Sequence, residues 1–186
     1  MKRYLVSMTL LGCALVAGCA RKAAVTVSDE PWHNEWQIVV NSNEPNLDKP
    51  GHHPMGWIPD ELPPDRYVNR PFYEGAGKRK GLLALHPLSL KEPARIRFTG
   101  AVPLDRPVLT VEASGNVNGD CLLQCVVNGK KIGEYTLDGS KWAVCEFDLS
   151  RFVGEPMDIE LWNAAGGKEP WHFEHCYIDT IYFKRK

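Results

Sequence analysis

The residue types best suited to binding chemistry lie together near the C-terminus, in the run Trp171-His172-Phe173-Glu174-His175. The run follows a glycine-rich segment, and loops on a rigid scaffold are where binding residues concentrate. An exposed Trp171 would offer a flat apolar face to the C–H face of a pyranose ring. His172, Glu174 and His175 would hydrogen-bond the hydroxyl groups of that ring. The alternative is structural: Trp171 and Phe173 would close one end of the fold, and the histidines would be solvated.

Aromatic and imidazole side chains also cluster in the N-terminal half of the chain, where residues 32–36 read WHNEW and residues 52–57 read HHPMGW. We expect this second cluster to cover the same end of the fold as the first. Trp57 therefore joins the candidate ligand-binding residues. Packing in the core or in its cover is the alternative for these residues.

The same residues support metal binding and catalysis less well. His172 and His175 could ligate zinc together with Glu174 or a histidine at 52 or 53, but residues three apart on a strand point to opposite faces. The sequence has no Gly-x-Ser-x-Gly elbow and no glycine-rich phosphate loop. The acid pair Asp60 and Glu61 lies in a proline-flanked, surface-type tract. We expect no metal, no cofactor and no catalytic residue, with a small hydrolase as a minor alternative.

Composition limits the partners. The chain has 186 residues, 44% of them apolar, and 22 basic against 23 acidic side chains give a formal net charge of -1. Such a balance offers no strong field for phosphate backbones, so nucleic acid is not an expected partner. Fourteen prolines and sixteen glycines argue against a helical bundle and for a mostly β protein.

The N-terminus carries an export signal. Lys2 and Arg3 precede an uncharged, mostly apolar run over residues 4–18, which is shorter than the ~20 residues that a membrane-spanning helix needs. The run ends in Val16-Ala17-Gly18-Cys19, and small residues before a cysteine resemble the lipobox of bacterial lipoproteins. The resemblance implies cleavage before Cys19, diacylglyceryl attachment to its thiol, and acylation of the new amine by a fatty acid such as palmitate.

An anchor of this kind holds a folded body on a membrane without a spanning helix. We expect a signal peptide over 1–18, a lipidated tether over 19–34 and a single domain over 35–186 in the cell envelope. Ala20 rather than an aspartate follows the modified cysteine. In Gram-negative lipoproteins that resemblance favours the outer membrane.

Short alternating runs between turn signals predict a β-sandwich. Asn128 and Gly129 join two such runs and predict a tight hairpin, because both tolerate positive φ. Seven prolines between 42 and 80 exclude a long helix or a central strand there, and we expect an ordered segment that covers the fold, with disorder as the alternative. The predicted strands lie near residues 36–41, 81–86, 94–99, 107–113, 120–127, 130–137, 142–149, 156–163 and 175–184.

Alternation within these strands predicts which side chains meet between the sheets. The expected inward residues are Ile96, Phe98, Leu109, Val111, Ala113, Cys121, Leu123, Cys125, Val127, Ala143, Cys145, Phe147, Leu149, Met157, Ile159 and Leu161. The expected water-facing residues are Arg95, Arg97, Glu146, Asp148, Asp158 and Glu160.

Four cysteines, Cys121, Cys125, Cys145 and Cys176, remain in the expected mature domain, and three complete pairings are possible. Cys121 and Cys125 on one strand would lie about 13 Å apart, beyond disulfide reach, so any bridge should be cross-strand. Buried thiols that fill the core are an equally good alternative.

The order of these elements resembles the galactose-binding-domain-like jelly rolls, most nearly the NPCBM-type carbohydrate-binding modules. The resemblance rests on GLLALHP at 81–87, ARIRF at 94–98, Gly119-Asp120, the NGK turn at 128–130 and DTIYF at 179–183. It implies an all-β jelly-roll sandwich and a carbohydrate ligand. We expect a lipid-anchored, non-catalytic binding module of the cell envelope. The alternative is an envelope protein that binds a protein partner through 42–80, or a structural lipoprotein, with no sugar ligand.

The lipid anchor is tested by labelling cells with tritiated palmitate. We expect the wild-type chain to incorporate label and Cys19→Ala to incorporate none, because the thiol is the attachment point. Equal labelling of the two proteins would contradict the lipobox.

Overall fold

The computed structural model describes residues 31–42, 56–57, 79, 81–116, 119–166 and 173–186. Within these ranges the chain forms strands, turns and two short 3₁₀ helices, Pro31–Asn34 and Ser150–Phe152, and no α-helix. The strands are β1 (Gln37–Val40), β2 (Gly56–Trp57), β3 (Leu83–Leu85), β4 (Ala94–Ala101), β5 (Val108–Gly115), β6 (Cys121–Val127), β7 (Lys130–Leu137), β8 (Ala143–Asp148), β9 (Pro156–Ala164) and β10 (Cys176–Lys184).

The strands form two antiparallel sheets of five. Sheet I has the order β1-β4-β9-β6-β7, and sheet II has the order β2-β3-β10-β5-β8. Without the edge strands β1 and β2, the remaining orders β4-β9-β6-β7 and β3-β10-β5-β8 are those of an eight-stranded jelly roll. The all-β jelly-roll sandwich expected from the sequence is confirmed, and β1 and β2 each extend one sheet at its edge.

The predicted turn between β6 and β7 is present. Asn128 and Gly129 have φ angles of 47° and 76°, and Val127 pairs with Lys130. Two positive φ angles match the right-handed twist of the flanking strands, which explains why Asn-Gly occupies this position.

The alternation also predicted the core. The expected inward side chains are buried, except that Phe98 and Ala143 are partly buried and pack against the core. Each fully buried aliphatic or aromatic side chain contributes roughly 1.5–3 kcal/mol through removal of apolar surface from water.

Glu160 corrects the list of water-facing residues, because it is only 8% exposed. Its Oε1 accepts hydrogen bonds from Nε and Nη2 of Arg97 at 2.9 and 2.6 Å. Its Oε2 accepts one from Nε1 of Trp162 at 2.6 Å. β9 lies between β4 and β6, so long neighbouring side chains bury a carboxylate that alternation alone assigns to solvent.

The core also includes a residue from the segment 19–34, which was expected to be a tether. Trp32 lies in the segment expected to be tether, yet it is 4% exposed and belongs to the core together with Trp36 at 3%. Trp32 lies in the short 3₁₀ helix Pro31–Asn34, and Trp36 follows this helix by two residues. The folded domain therefore includes Trp32.

Most of the expected cover over 42–80 lies outside the described residues. Gly56 and Trp57 pair with Ala84 and Leu83 at the edge of sheet II, where a proline-rich segment can contribute a strand. Arg79 forms ion pairs with Glu112, at 3.0 Å, and with Asp179.

The two sheets approach each other closely where β5 and β7 end. A Cβ atom added to Gly115 would lie 2.3 Å from the carbonyl oxygen of Leu137 and 2.9 Å from its carbonyl carbon. Backbone atoms at these distances cannot move aside cheaply, so the position requires glycine.

We expect Gly115→Ala to destabilise the fold by about 2 kcal/mol or more, because the added methyl group forces the sheets apart. Urea unfolding followed by circular dichroism measures the change. Gly133→Ala is the matched control, since its Cβ would meet only the Phe147 ring at 3.3 Å. Equal stability of the two variants would contradict the close approach.

The four cysteines of the domain are buried free thiols in this structure. Burial raises the pKa of the Cys125 and Cys145 thiols to about 12. An unfolded cysteine has a pKa of about 8.5, so above that pH the unfolded chain releases protons that the folded chain keeps. These thiols therefore stabilise the fold fully below pH 8.5, and that stability is lost as pH rises toward 12.

We expect the free energy of unfolding of the reduced protein to fall between pH 9 and 11. In Cys125→Ala the fall should be shallower by up to about 1.4 kcal/mol per pH unit, because one titrating thiol is gone. Urea unfolding across this pH range measures both slopes, and identical slopes would show that Cys125 ionises equally easily in both states.

Candidate functional site

The strand directions divide the sandwich into two ends. The β9–β10 end carries the turns that precede β4, β6, β8 and β10, and the β4–β5 end carries those that precede β5, β7 and β9. Trp171 and His172 lie outside the described residues, and Trp57 is described only as part of β2. Their expected ligand contacts stay predictions.

Glu174 and His175 lie at the β9–β10 end, but both are buried, with exposures of 1% and 2%. Oε2 of Glu174 accepts a hydrogen bond from the amide of Gly166 at 2.7 Å. Its backbone carbonyl accepts one from Nδ2 of Asn163 at 2.8 Å, and the same amide group donates to Leu85 at 2.9 Å. Glu174 therefore joins the start and the end of the β9–β10 loop, and a direct contact with a ligand stays a prediction.

His175 packs among other rings. Its imidazole meets that of His86 edge-on, with centroids 4.6 Å apart, and lies parallel to the Tyr177 ring at 5.8 Å. Nδ1 of His86 donates to the carbonyl of Pro87 at 2.8 Å. The imidazole of His175 thus contacts protein on both sides in this structure.

Asp120 is a further buried polar residue at the β9–β10 end. Its carboxylate lies 2.7–2.9 Å from the position that a Cβ atom of Gly166 would occupy, so the loop passes directly over it. The described residues contain no group of three or more His, Cys, Asp or Glu side chains arranged to hold a metal ion. Sequence reasoning used His86 and Asp120 only as parts of the jelly-roll resemblance and did not single out Asn163, because single polar residues at strand ends give no periodic signal.

The opposite end of the sandwich contains an open aromatic groove. It lies between the 3₁₀ helix Pro31–Asn34, the end of β4 and the end of β10, and its volume is about 370 Å³. The Phe98 ring lies 5.7 Å from that of Trp36 and 5.6 Å from that of Phe183. The described residues that line the groove, called here the aromatic groove, are Trp32, Glu35, Trp36, Phe98, Ala101, Pro103, Arg106, Ile181, Tyr182 and Phe183.

The rim of the aromatic groove is polar and exposed. Tyr182 is 42% exposed, and Glu35 and Arg106 are exposed as well. The rings offer flat apolar surface, the carboxylate accepts hydrogen bonds, and the guanidinium donates up to five. A cavity of this size with an aromatic lining and a few polar groups is typical of a small-molecule site.

For the WHNEW part of the N-terminal cluster, the aromatic groove corrects the expectation that it covers the same end as Glu174 and His175, whereas residues 52–55, 171 and 172 lie outside the described residues. Trp32 and Trp36 lie near Phe183 at the end of β10, whereas His175 precedes the start of that strand. At about 3.3 Å per residue, the length of β10 separates the two places by about 25 Å. Sequence reasoning therefore missed the groove, although the WHNEW run was a signal for part of it.

No known family profile and no curated protein sequence matches this chain. Among solved structures, it is similar to an M60 catalytic domain with two CBM51 domains from Clostridium perfringens ZmpB, at 11% identity and a TM-score of 0.41, covering 56% of this chain and 11% of that one. It is also similar to a CBM36 domain of a multidomain xylanase from the hindgut metagenome of Trinervitermes trinervoides, at 16% identity and a TM-score of 0.41, covering 50% of this chain and 73% of that one. A third similar structure is CBM51 from Clostridium perfringens GH95 in complex with methyl-galactose, at 9% identity and a TM-score of 0.36, covering 54% of this chain and 79% of that one.

No helix among the described residues is both long and apolar enough to span a bilayer.

Proposed function

We propose that the aromatic groove binds carbohydrate, and that the protein is a lipid-anchored, non-catalytic binding module of the cell envelope. The observation that carries the proposal is one cavity lined by aromatic rings and by the exposed residues Glu35 and Arg106. A sugar ring presents C–H groups on its faces and hydroxyl groups around its edge. Aromatic faces with flanking hydrogen-bonding groups match both surfaces.

The acid groups at the groove support binding without catalysis. Glu35 is the one carboxylate among its described lining residues. Glycoside hydrolysis ordinarily uses two carboxyl groups on either side of the scissile bond, one as acid and the other as base or nucleophile. The described part of the groove therefore offers groups to hold a sugar and one of the two carboxyl groups that hydrolysis would use.

The anchor proposed at Cys19 would keep the groove near the membrane. Trp32 follows Cys19 by 13 residues, and an extended chain spans at most about 3.6 Å per residue. The groove would then lie within about 47 Å of the lipid surface. We propose an envelope glycan within that distance as the ligand, in the outer membrane if the cell is Gram-negative.

A glycan array probed with the full chain tests the proposal, and Arg106→Ala is the decisive variant. We expect it to lower affinity for the bound glycan about tenfold, because the hydrogen bonds that the guanidinium donates to the sugar are lost. The melting temperature should change little, since Arg106 is exposed. Val144→Ala, at an exposed site (54%) on β8, is the control and should bind like wild type.

Trp171→Ala separates the two ends of the sandwich. The aromatic groove predicts that this variant keeps its affinity. Loss of binding in Trp171→Ala with full binding in Arg106→Ala would move the site to the β9–β10 end. A blank array for wild type would contradict the carbohydrate proposal and favour a protein partner.

A further inference from the structure

Two buried thiols meet between the sheets at the β9–β10 end. Cys121 is the first residue of β6 in sheet I, and Cys176 is the first residue of β10 in sheet II. Both side chains are fully buried, and strands β6 and β10 contact each other across the sandwich. Burial and the neighbouring Cys176 thiol raise the pKa of Cys121, which agrees with two sulfur atoms that lie close together between the sheets. Such proximity is a precondition for a bridge that would link the two layers.

The backbones of the two sheets also come unusually close to each other beside these two cysteines. Cys121 pairs with Leu137 on β7, and Cys176 pairs with Gly115 on β5. Gly115 and Leu137 are the residues whose backbones make the tight contact between the sheets. Stacked sheets are ordinarily about 10 Å apart, and bridged Cα atoms need less than about 7 Å, so this local convergence is what brings the cysteines within reach.

The other two thiols of the domain lie too far along the strands to be disulfide partners of Cys121 or Cys176. Cys125 is four residues beyond Cys121 on β6. Cys145 pairs with Val111, which is four residues along β5 from the Gly115 partner of Cys176. Four residues correspond to about 13 Å, which is beyond the span of a disulfide.

We propose that Cys121 and Cys176 form an inter-sheet disulfide when the chain folds in the presence of a disulfide oxidant. One thiol loses its proton, and its sulfur attacks the oxidant to form a mixed disulfide with release of one oxidant thiol. The second thiol then loses its proton and displaces the other oxidant thiol. Two S–H bonds and the oxidant S–S bond break, one protein S–S bond forms, and the two electrons reduce the oxidant to two thiols.

The bridge would stabilise the end of the fold that carries the buried polar groups. Asp120 precedes Cys121, and Glu174 and His175 precede Cys176, so the bond would join the roots of the β5–β6 and β9–β10 loops. Desolvation, the neighbouring Cys176 thiol and the nearby carboxylate of Glu174 raise the pKa of Cys121 well above its usual value. A thiol so rarely ionised reacts slowly once buried, so oxidation belongs to folding and not to the finished fold.

Peptide mapping tests the pairing. The full chain is unfolded, refolded in a buffer of oxidised and reduced glutathione, alkylated and digested with trypsin without reduction. We expect the peptide that contains Cys176 to be linked to the peptide that ends at Lys130 and contains Cys121 and Cys125, with the pair about 2 Da lighter than the two reduced peptides.

Matched variants identify the partner. Cys125→Ala should keep the link, and Cys121→Ala should lose it. Reduction should lower the melting temperature of wild type and Cys125→Ala by about 10 °C, because the bond closes a long loop, and should leave Cys121→Ala unchanged.

Three results would overturn the proposal. They are a link that survives in Cys121→Ala, a link from Cys176 to the peptide of Cys145 or to the N-terminal peptide of Cys13 and Cys19, and full alkylation of every thiol after refolding. Because each readout is independent of ligand binding, failure here would leave the carbohydrate proposal intact.

Discussion

The inner faces of the two sheets have to exclude water together, and this constraint shapes the rest of the molecule. Leu83, Leu109, Leu123, Ile159 and Ile178 are all fully buried, although they come from five strands spread over almost a hundred residues. Burial of this kind stabilises the fold only if the strands keep their pairing register, because a slip of one residue would move the apolar side chains of a strand to the solvent face of its sheet.

The two ends of the sandwich close this core by different chemistry. At the β9–β10 end, buried polar groups close it, and buried polar groups need hydrogen-bond partners. Asn163 and Glu174 meet that need by bonding to the backbone of the same loop, which joins its two ends. At the β4–β5 end, Trp36, Phe98 and Phe183 close the core with rings, and the apolar faces of these rings need no such partners. An aromatic closure can therefore leave part of its surface open as a groove.

The close approach of the sheets at Gly115 connects the core to the polar end. A side chain at this position would separate β5 from β7, so glycine is a packing requirement and not a turn signal. Cys121 and Cys176 pair with Leu137 and Gly115, so both lie beside this contact. Geometry that serves packing thus also brings the two layers together where the disulfide is proposed.

The sequence by itself determined nine of the ten described strands, their inward faces and the Asn128-Gly129 hairpin, because side-chain alternation and positive φ are local properties of the chain. Only the tertiary structure decided that Trp32 and Trp36 lie at the opposite end from Glu174 and His175. It also decided that Glu160 is buried and that Trp36, Phe98 and Phe183 share one groove. These contacts join residues far apart in the chain, and they depend on the order and direction of the strands in each sheet. A period of two within a strand carries no information on which strand lies beside it, so the composition of the groove could not be predicted from the pattern.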